Sequence, residues 1–198
     1  VIGHLEGICH TFIDKNIDIK MARNVVVNAK MRSVGICGAT ETLLIHKDCT
    51  KKEINLIIND LKNNGCLIYA DKKVRKIFSG NLKKATNKNW NKEYLDAKIS
   101  VKIVKNVVEA VQHINKFGTM HTDSIITNNI TNADYFTRNV TSSIAMHNTS
   151  TQFADGGELG FGGEVGISTN KLPPRGPVGL NQLVSFKYHV AGNGQIRK

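Results

Sequence analysis

The sequence predicts an α/β fold, a sheet with helices packed on it. Three features predict it. Short apolar, β-branched runs of strand length alternate with amphipathic stretches of helix length; Asp and Thr stand where such helices begin; Gly and Asn-Gly stand where they end. No internal repeat or long low-complexity segment interrupts the alternation.

Residues 9–14 are apolar and β-branched and read as a strand. Residues 18–31 read as a helix that Asp18 caps, with Ile19, Ala22, Val26 and Ala29 on one face. Residues 33–38 read as a loop and 42–46 as a buried strand. Asp48 or Thr50 caps a second helix through Leu61, and Asn64-Gly65 stops it. Residues 66–70 read as a strand, followed by a short basic helix through Phe78, and the polar stretch 83–91 as a surface loop. A strand is predicted at 99–104, a helix at 107–117 ended by Gly118, a strand at 124–127, a helix at 132–139 and a strand at 143–148. From Gly156 glycine becomes dense, and Pro173, Pro174 and Pro177 break any regular element. Residues 184–190 alternate as a lone strand, which needs a partner on another domain or subunit.

A chain of 198 residues with 40% hydrophobic residues supports one good core, or a core plus a small appendage. No stretch approaches the ~20 apolar residues of a membrane span. The start lacks the order of a signal peptide, so a soluble cytoplasmic protein is expected. Val1 enters mid-pattern, which predicts a piece of something longer. The formal charge is +11 and the pI about 9.6, but the surplus is dispersed Lys in a chain rich in Asn and Ile. Only 6% of residues are aromatic, and no Arg/aromatic platform for bases appears, so no nucleic-acid partner is expected. The four cysteines, Cys9, Cys37, Cys49 and Cys66, form no Cys-x-x-Cys pair, so neither a zinc motif nor a disulfide is expected. Cys9-His10 with His4 nearby brings metal ligands together, yet Cys9 ends an apolar stretch and reads as a core residue.

Cys37 is different. It sits in Val34-Gly35-Ile36-Cys37-Gly38-Ala39, between a helix and a strand. Small neighbours let a substrate approach closely, as a nucleophilic thiol requires, and leave backbone N–H groups to hold an oxyanion. Taken alone, such a cysteine is more often a small buried apolar residue.

The segment Asn28-Ala29-Lys30-Met31-Arg32-Ser33-Val34-Gly35-Ile36-Cys37-Gly38-Ala39-Thr40-Glu41-Thr42-Leu43-Leu44 resembles the catalytic-cysteine motif of the γ-glutamyl phosphate reductase family, which is of the aldehyde-dehydrogenase type. So do His4-Leu5-Glu6-Gly7-Ile8-Cys9-His10, His121-Thr122-Asp123-Ser124-Ile125-Ile126-Thr127, Phe153-Ala154-Asp155-Gly156-Gly157-Glu158, Ile167-Ser168-Thr169 and Arg175-Gly176-Pro177-Val178-Gly179-Leu180. The terminal Gly192-Asn193-Gly194-Gln195-Ile196-Arg197 looks like the family's C-terminus. The matches run in family order across almost the whole chain, so their joint specificity is high.

The resemblance implies an aldehyde-dehydrogenase-type catalytic domain over residues 1–160, then a tail over 161–198 with a substrate loop and an oligomerisation strand. It implies NADPH-dependent reduction of L-glutamyl 5-phosphate to glutamate 5-semialdehyde in proline biosynthesis, through a thioester on Cys37. It makes Arg175 the candidate anion contact, since a guanidinium in a Pro/Gly loop can meet a carboxylate or phosphate in bidentate fashion, although a solvated surface Arg reads equally well. Ser168 and Thr169 are further substrate candidates. Glu93 lies near the place where related dehydrogenases contact the nicotinamide ribose, though a solvated Glu reads as well. Hydrolytic aldehyde dehydrogenases carry a water-activating Glu upstream of the cysteine; His4 or Leu5 falls near that place here, with Glu6 adjacent, which suits a thioester that must survive until hydride arrives.

Several departures stand beside the resemblance. Ser33 and Val34 replace a basic residue followed by Pro or Thr; Pro173 and Pro174 stand where His is frequent; and Lys98 opens a strand that should begin apolar, where a buried Lys is costly. The family's N-terminal portion, which builds most of the NADPH site, has no counterpart before Val1, and no Gly-rich phosphate loop replaces it. The expected partners are the small-molecule substrate and either a second copy or a separate N-terminal portion. The alternative is a catalytically inactive remnant. For the basic surface, the expectation is weak DNA binding that falls steeply with added salt in a fluorescence-anisotropy titration. A tight complex that persists at physiological ionic strength contradicts it.

Overall fold

The computed structural model describes residues 3–197. Seven strands form one sheet: β1 (Cys9–Ile13), β2 (Thr40–His46), β3 (Leu67–Ala70), β4 (Lys83–Lys84), β5 (Lys98–Val104), β6 (Thr122–Ile126) and β7 (Ile144–His147). Their order across the sheet is β4-β3-β5-β2-β1-β6-β7, and every pairing is parallel. Parallel neighbours require crossovers, which α1 (Ile19–Met31), α2 (Lys51–Asn63), α3 (Lys72–Ile77), α4 (Asn87–Trp90), α5 (Val107–Phe117) and α6 (Ile130–Asn139) supply. A two-residue hairpin, β8 (Ile167–Ser168) with β9 (Gly176–Pro177), follows.

The strand period of two sorts the core into two layers. Ile13, Leu43, Ile45, Val101, Ile103 and Ile126 pack with α1, α2 and α3 residues such as Val26, Ile57 and Val74. Their neighbours Phe12, Leu44 and Ile125 face the other way and pack with Ala110, Val111 and Ile114 of α5 and Phe136 of α6. The helices begin as their caps dictate. Asp18 accepts from the Lys20 and Met21 amides, and Asn106 and Asn129 cap α5 and α6. Thr50, not Asp48, caps α2, because Glu53 three residues on completes a capping box with it.

Most predicted elements are present, with shifted ends: α6 starts at Ile130, and β6 starts at Thr122 because Thr122 and Asp123 join the ladder against β7 despite their polarity. Three differences have physical causes. The stretch 83–91, expected as a loop, holds β4 and α4. β4 is an exposed two-residue lysine edge, which carries no apolar period, and α4 is a single turn in which Thr86 N–H donates to Asn89 Oδ1 at 2.8 Å and Trp90 is buried. Lys98 is not buried: it opens β5 at the rim, 39% exposed, and pairs with Asp96 at 2.6 Å. Among the described residues, 184–190 pair with no strand and leave Val184, Phe186, Tyr188 and Val190 exposed. Among the described residues no helix is long and apolar enough to cross a membrane.

A fully buried ion pair spans the segment between α1 and β2. Lys30 Nζ donates to Glu41 Oε2 at 2.7 Å, and both side chains are 0% exposed. Burial pushes the Glu41 carboxyl up, and Lys30 pulls it back. Losing one partner strands a charge in the core. Glu41→Gln or Lys30→Met should each lower unfolding free energy by about 3–5 kcal/mol in a urea titration, and the double variant Lys30→Met/Glu41→Leu should recover most of it. Single variants within about 0.5 kcal/mol of the parent contradict this reading.

Candidate active site

The loops that precede β1, β2, β5 and β6 meet at the amino end of the sheet. Ligands of open parallel sheets usually gather at the carboxyl end, so sequence order alone does not point here. Cys37 lies on the loop before β2, half-buried. The loop is held from below by Lys30–Glu41 and at its start by Gln152, whose Nε2 donates to the Ala29 and Ser33 carbonyls at 3.0 and 3.1 Å. A buried hydroxyl chain, Thr11 to Thr40 at 2.7 Å and Thr40 to Thr151 at 2.9 Å, fixes its far end.

The segment before β1 closes over the loop. A Cβ on Gly7 would lie 2.4 Å from the Cys37 carbonyl oxygen and 2.9 Å from its Cβ, so only glycine permits this approach. Cys9 Sγ donates to that carbonyl oxygen at 3.1 Å; burial pushes the Cys9 thiol up, which keeps it a donor. Cys9 is thus a core residue that braces the Cys37 loop.

Two histidines complete the site. One ligand atom each of His4, Cys37 and His121 lie within 4.8 Å of one another. His121 is fully buried, with Nδ1 2.9 Å from Thr122 Oγ1 and 3.5 Å from Cys9 Sγ. Burial, then the neighbouring His4, pull its pKa down to about 4, so the ring is neutral at pH 7. Burial also pushes the Cys37 thiol up, reinforced by the negative charges of Glu164 and Glu93, while the Cys37 and Gly38 amides pull it back. The pair therefore rests as neutral thiol and neutral imidazole. His121 stood within a quoted motif, but only the β1–β6 pairing shows that it faces Cys37; buried polar residues opening an otherwise apolar strand were the available signal.

The other candidates scatter. Glu93 Oε1 accepts from the Gly7 amide at 2.9 Å, which ties it to the loop over Cys37. Thr169 donates to the Gly3 carbonyl and lines, with His4, Glu6, Thr119 and Asn170, a cleft of about 730 Å³ beside the site. Ser168 is buried in β8, where its Oγ accepts from the Asn170 amide at 3.3 Å. Arg175 is exposed and donates to the Thr141 carbonyl; among the described residues no hydrogen bond or ion pair links it to the Cys37 cluster. His4, rather than the exposed Glu6, is the residue that stands with Cys37.

No protein-family model matches the chain. It is 48% identical over 197 residues to the γ-glutamyl phosphate reductase of Parvibaculum lavamentivorans, covering 100% of this chain and 46% of that protein. The solved γ-glutamyl phosphate reductase of Thermotoga maritima superposes with a TM-score of 0.94 at 41% identity, over 98% of this chain and 46% of that one. An acetylating aldehyde dehydrogenase of Geobacillus thermoglucosidasius, 16% identical with a TM-score of 0.70, over 98% of this chain and 53% of that one, shares the fold. The chain spans about half the length of the curated relatives it matches.

Iodoacetamide should label Cys37 ahead of Cys9, Cys49 and Cys66, because burial pushes the Cys49 and Cys66 thiols up to about 12 and holds the fully buried Cys9 thiol well above an ordinary one. The Cys37 rate should rise with pH beyond the ordinary thiol range near ~8.5. Glu164→Gln removes a negative charge and should move that profile to lower pH. Labelling of another cysteine first, or an opposite shift in Glu164→Gln, contradicts the site.

Proposed function

We propose that this chain, a relative of the γ-glutamyl phosphate reductases along its whole length, carries the acylation chemistry of that reaction on Cys37. One observation supports the reading above the rest: a half-buried thiol on a braced loop, with a neutral, buried imidazole in its cluster. The thiol proton passes to a His121 ring nitrogen as the sulfur attacks the γ-carbonyl carbon of glutamyl 5-phosphate. The sulfur–carbon bond forms, the carbon–oxygen bond to phosphate breaks, and phosphate leaves with the C–O electron pair. The Cys37 and Gly38 amides, which already face the sulfur, stand where an oxyanion needs donors. Raised thiol and lowered imidazole pKa values keep the nucleophile protonated until a substrate arrives, which protects it from adventitious reaction.

In this proposal the reductant is NADPH. The described residues do not fit it. The N-termini of α1, α2, α5 and α6 are each capped from within, and Asp18, Glu53 and Glu109 put carboxylates at three of them, where a pyrophosphate would need positive ends. Glu93 is engaged by the Gly7 amide. Hydride delivery therefore belongs, in this reading, to a further polypeptide portion. The C-terminal stretch 184–190, apolar on alternate residues and unpaired, supports pairing with a second chain. Activity in the cytoplasm fits the reaction.

The test is the reverse assay with semialdehyde, phosphate and NADP⁺. The 198-residue chain alone should give no turnover, because hydride transfer misplaced by ~1 Å already loses about 100-fold. Adding a separately expressed N-terminal portion of a relative should restore turnover, and Cys37→Ser should abolish it. Turnover by the chain alone contradicts the missing-cofactor reading, and none after complementation favours an inactive remnant.

A further inference from the structure

Three metal-ligating side chains converge from three separate segments. His4 precedes β1, Cys37 precedes β2 and His121 precedes β6, with one ligand atom of each within 4.8 Å of the others. His121 is 0% exposed and its Nε2 has no hydrogen-bond partner; His4 Nδ1 is likewise buried and unpartnered. A polar atom removed from water without a partner is a cost that a ligand can relieve. The opposite edge of the His121 ring is already anchored, Nδ1 lying 2.9 Å from Thr122 Oγ1, as an outer contact orients a ligating imidazole.

We propose that this chain binds a zinc-class divalent cation through His4, Cys37 and His121. One sulfur and two imidazoles select a borderline-soft ion over magnesium or calcium. Bond lengths of about 2.0–2.3 Å in tetrahedral geometry set ligand atoms about 3.3–3.6 Å apart. Reaching that from at most 4.8 Å needs a small closure, which the half-buried His4 segment can supply. Glu164 and Glu93 add negative charge beside the sulfur, which favours a cation. As the sulfur–metal bond forms, the thiol proton leaves to solvent, and the fourth position is open to water. The consequence rests on the reading of Cys37 as nucleophile: a bound ion holds it as an unreactive thiolate. The site itself does not depend on that reading.

Cobalt(II) titration of the 198-residue chain tests it, since a thiolate ligand gives a charge-transfer absorption that carboxylates and amides do not. One equivalent should produce the band, zinc should displace it, and zinc should shield Cys37 from iodoacetamide until EDTA is added. Loss of an outer contact typically weakens metal binding ~10–100-fold, so Cys37→Ser, His121→Gln and the rim variant His4→Ala should each weaken it by about 100-fold or more, with Cys49→Ser unchanged. Circular dichroism of each variant separates lost binding from lost fold. Absence of the band, or affinity in folded His4→Ala equal to the parent, overturns the site. If Cys37 proves not to be the nucleophile, the cobalt band still appears, so the two failures are distinguishable.

Discussion

The buried contact of Lys30 with Glu41 is the constraint on which the site depends. Two opposite charges with no exposure tolerate little freedom, because separating them in the core is far more costly than holding them at 2.7 Å. They stand at the two feet of the Cys37 loop, one on the last turn of α1 and one at the start of β2. Once that distance is fixed, the intervening residues have few paths. Gln152 and Thr151 hold the loop from one side, and Gly7 with the Cys9 thiol hold it from the other. The loop that carries Cys37 is thus framed by buried, hydrogen-bonded polar groups.

That frame places the Cys37 cluster at the amino end of a parallel sheet. There the strands begin with polar residues, Thr40, Glu41 and Thr42 on β2 and Thr122 and Asp123 on β6, all buried. Asp123 accepts from the His10 amide at 2.7 Å and from His10 Nδ1 at 2.9 Å, so side chains stitch this end of the sheet. The same dry surroundings set the resting state. They disfavour both a thiolate at Cys37 and an imidazolium at His121.

The sheet and its helices were legible because their physics is local. Caps at Asp18 and Thr50, and alternation such as Phe12 against Ile13, write the layers into the sequence. The setting of Cys37 was legible as a glycine-flanked cysteine on a loop. What was not legible depends on register across distant strands. His121 reaches Cys37 only because β6 pairs with β1 and β1 with β2, and Glu93 reaches Gly7 only because β5 lies beside β2. The lysine edge β4 carried no period at all, and Arg175, attractive by type, is directed to the Thr141 carbonyl instead. The likeness to γ-glutamyl phosphate reductases over the whole chain accounts for the fold but not for the half of those proteins that lies outside it.

The central claim, that Cys37 is acylated without help from a dinucleotide, has a direct measurement. The chain is incubated with an acyl phosphate such as acetyl phosphate, quenched in acid and mapped by peptide mass spectrometry. The account predicts one hydroxylamine-labile acyl group on Cys37, release of one phosphate per adduct, and no adduct in Cys37→Ser. An unmodified Cys37, or an acyl group on Cys9, Cys49 or Cys66 instead, contradicts it.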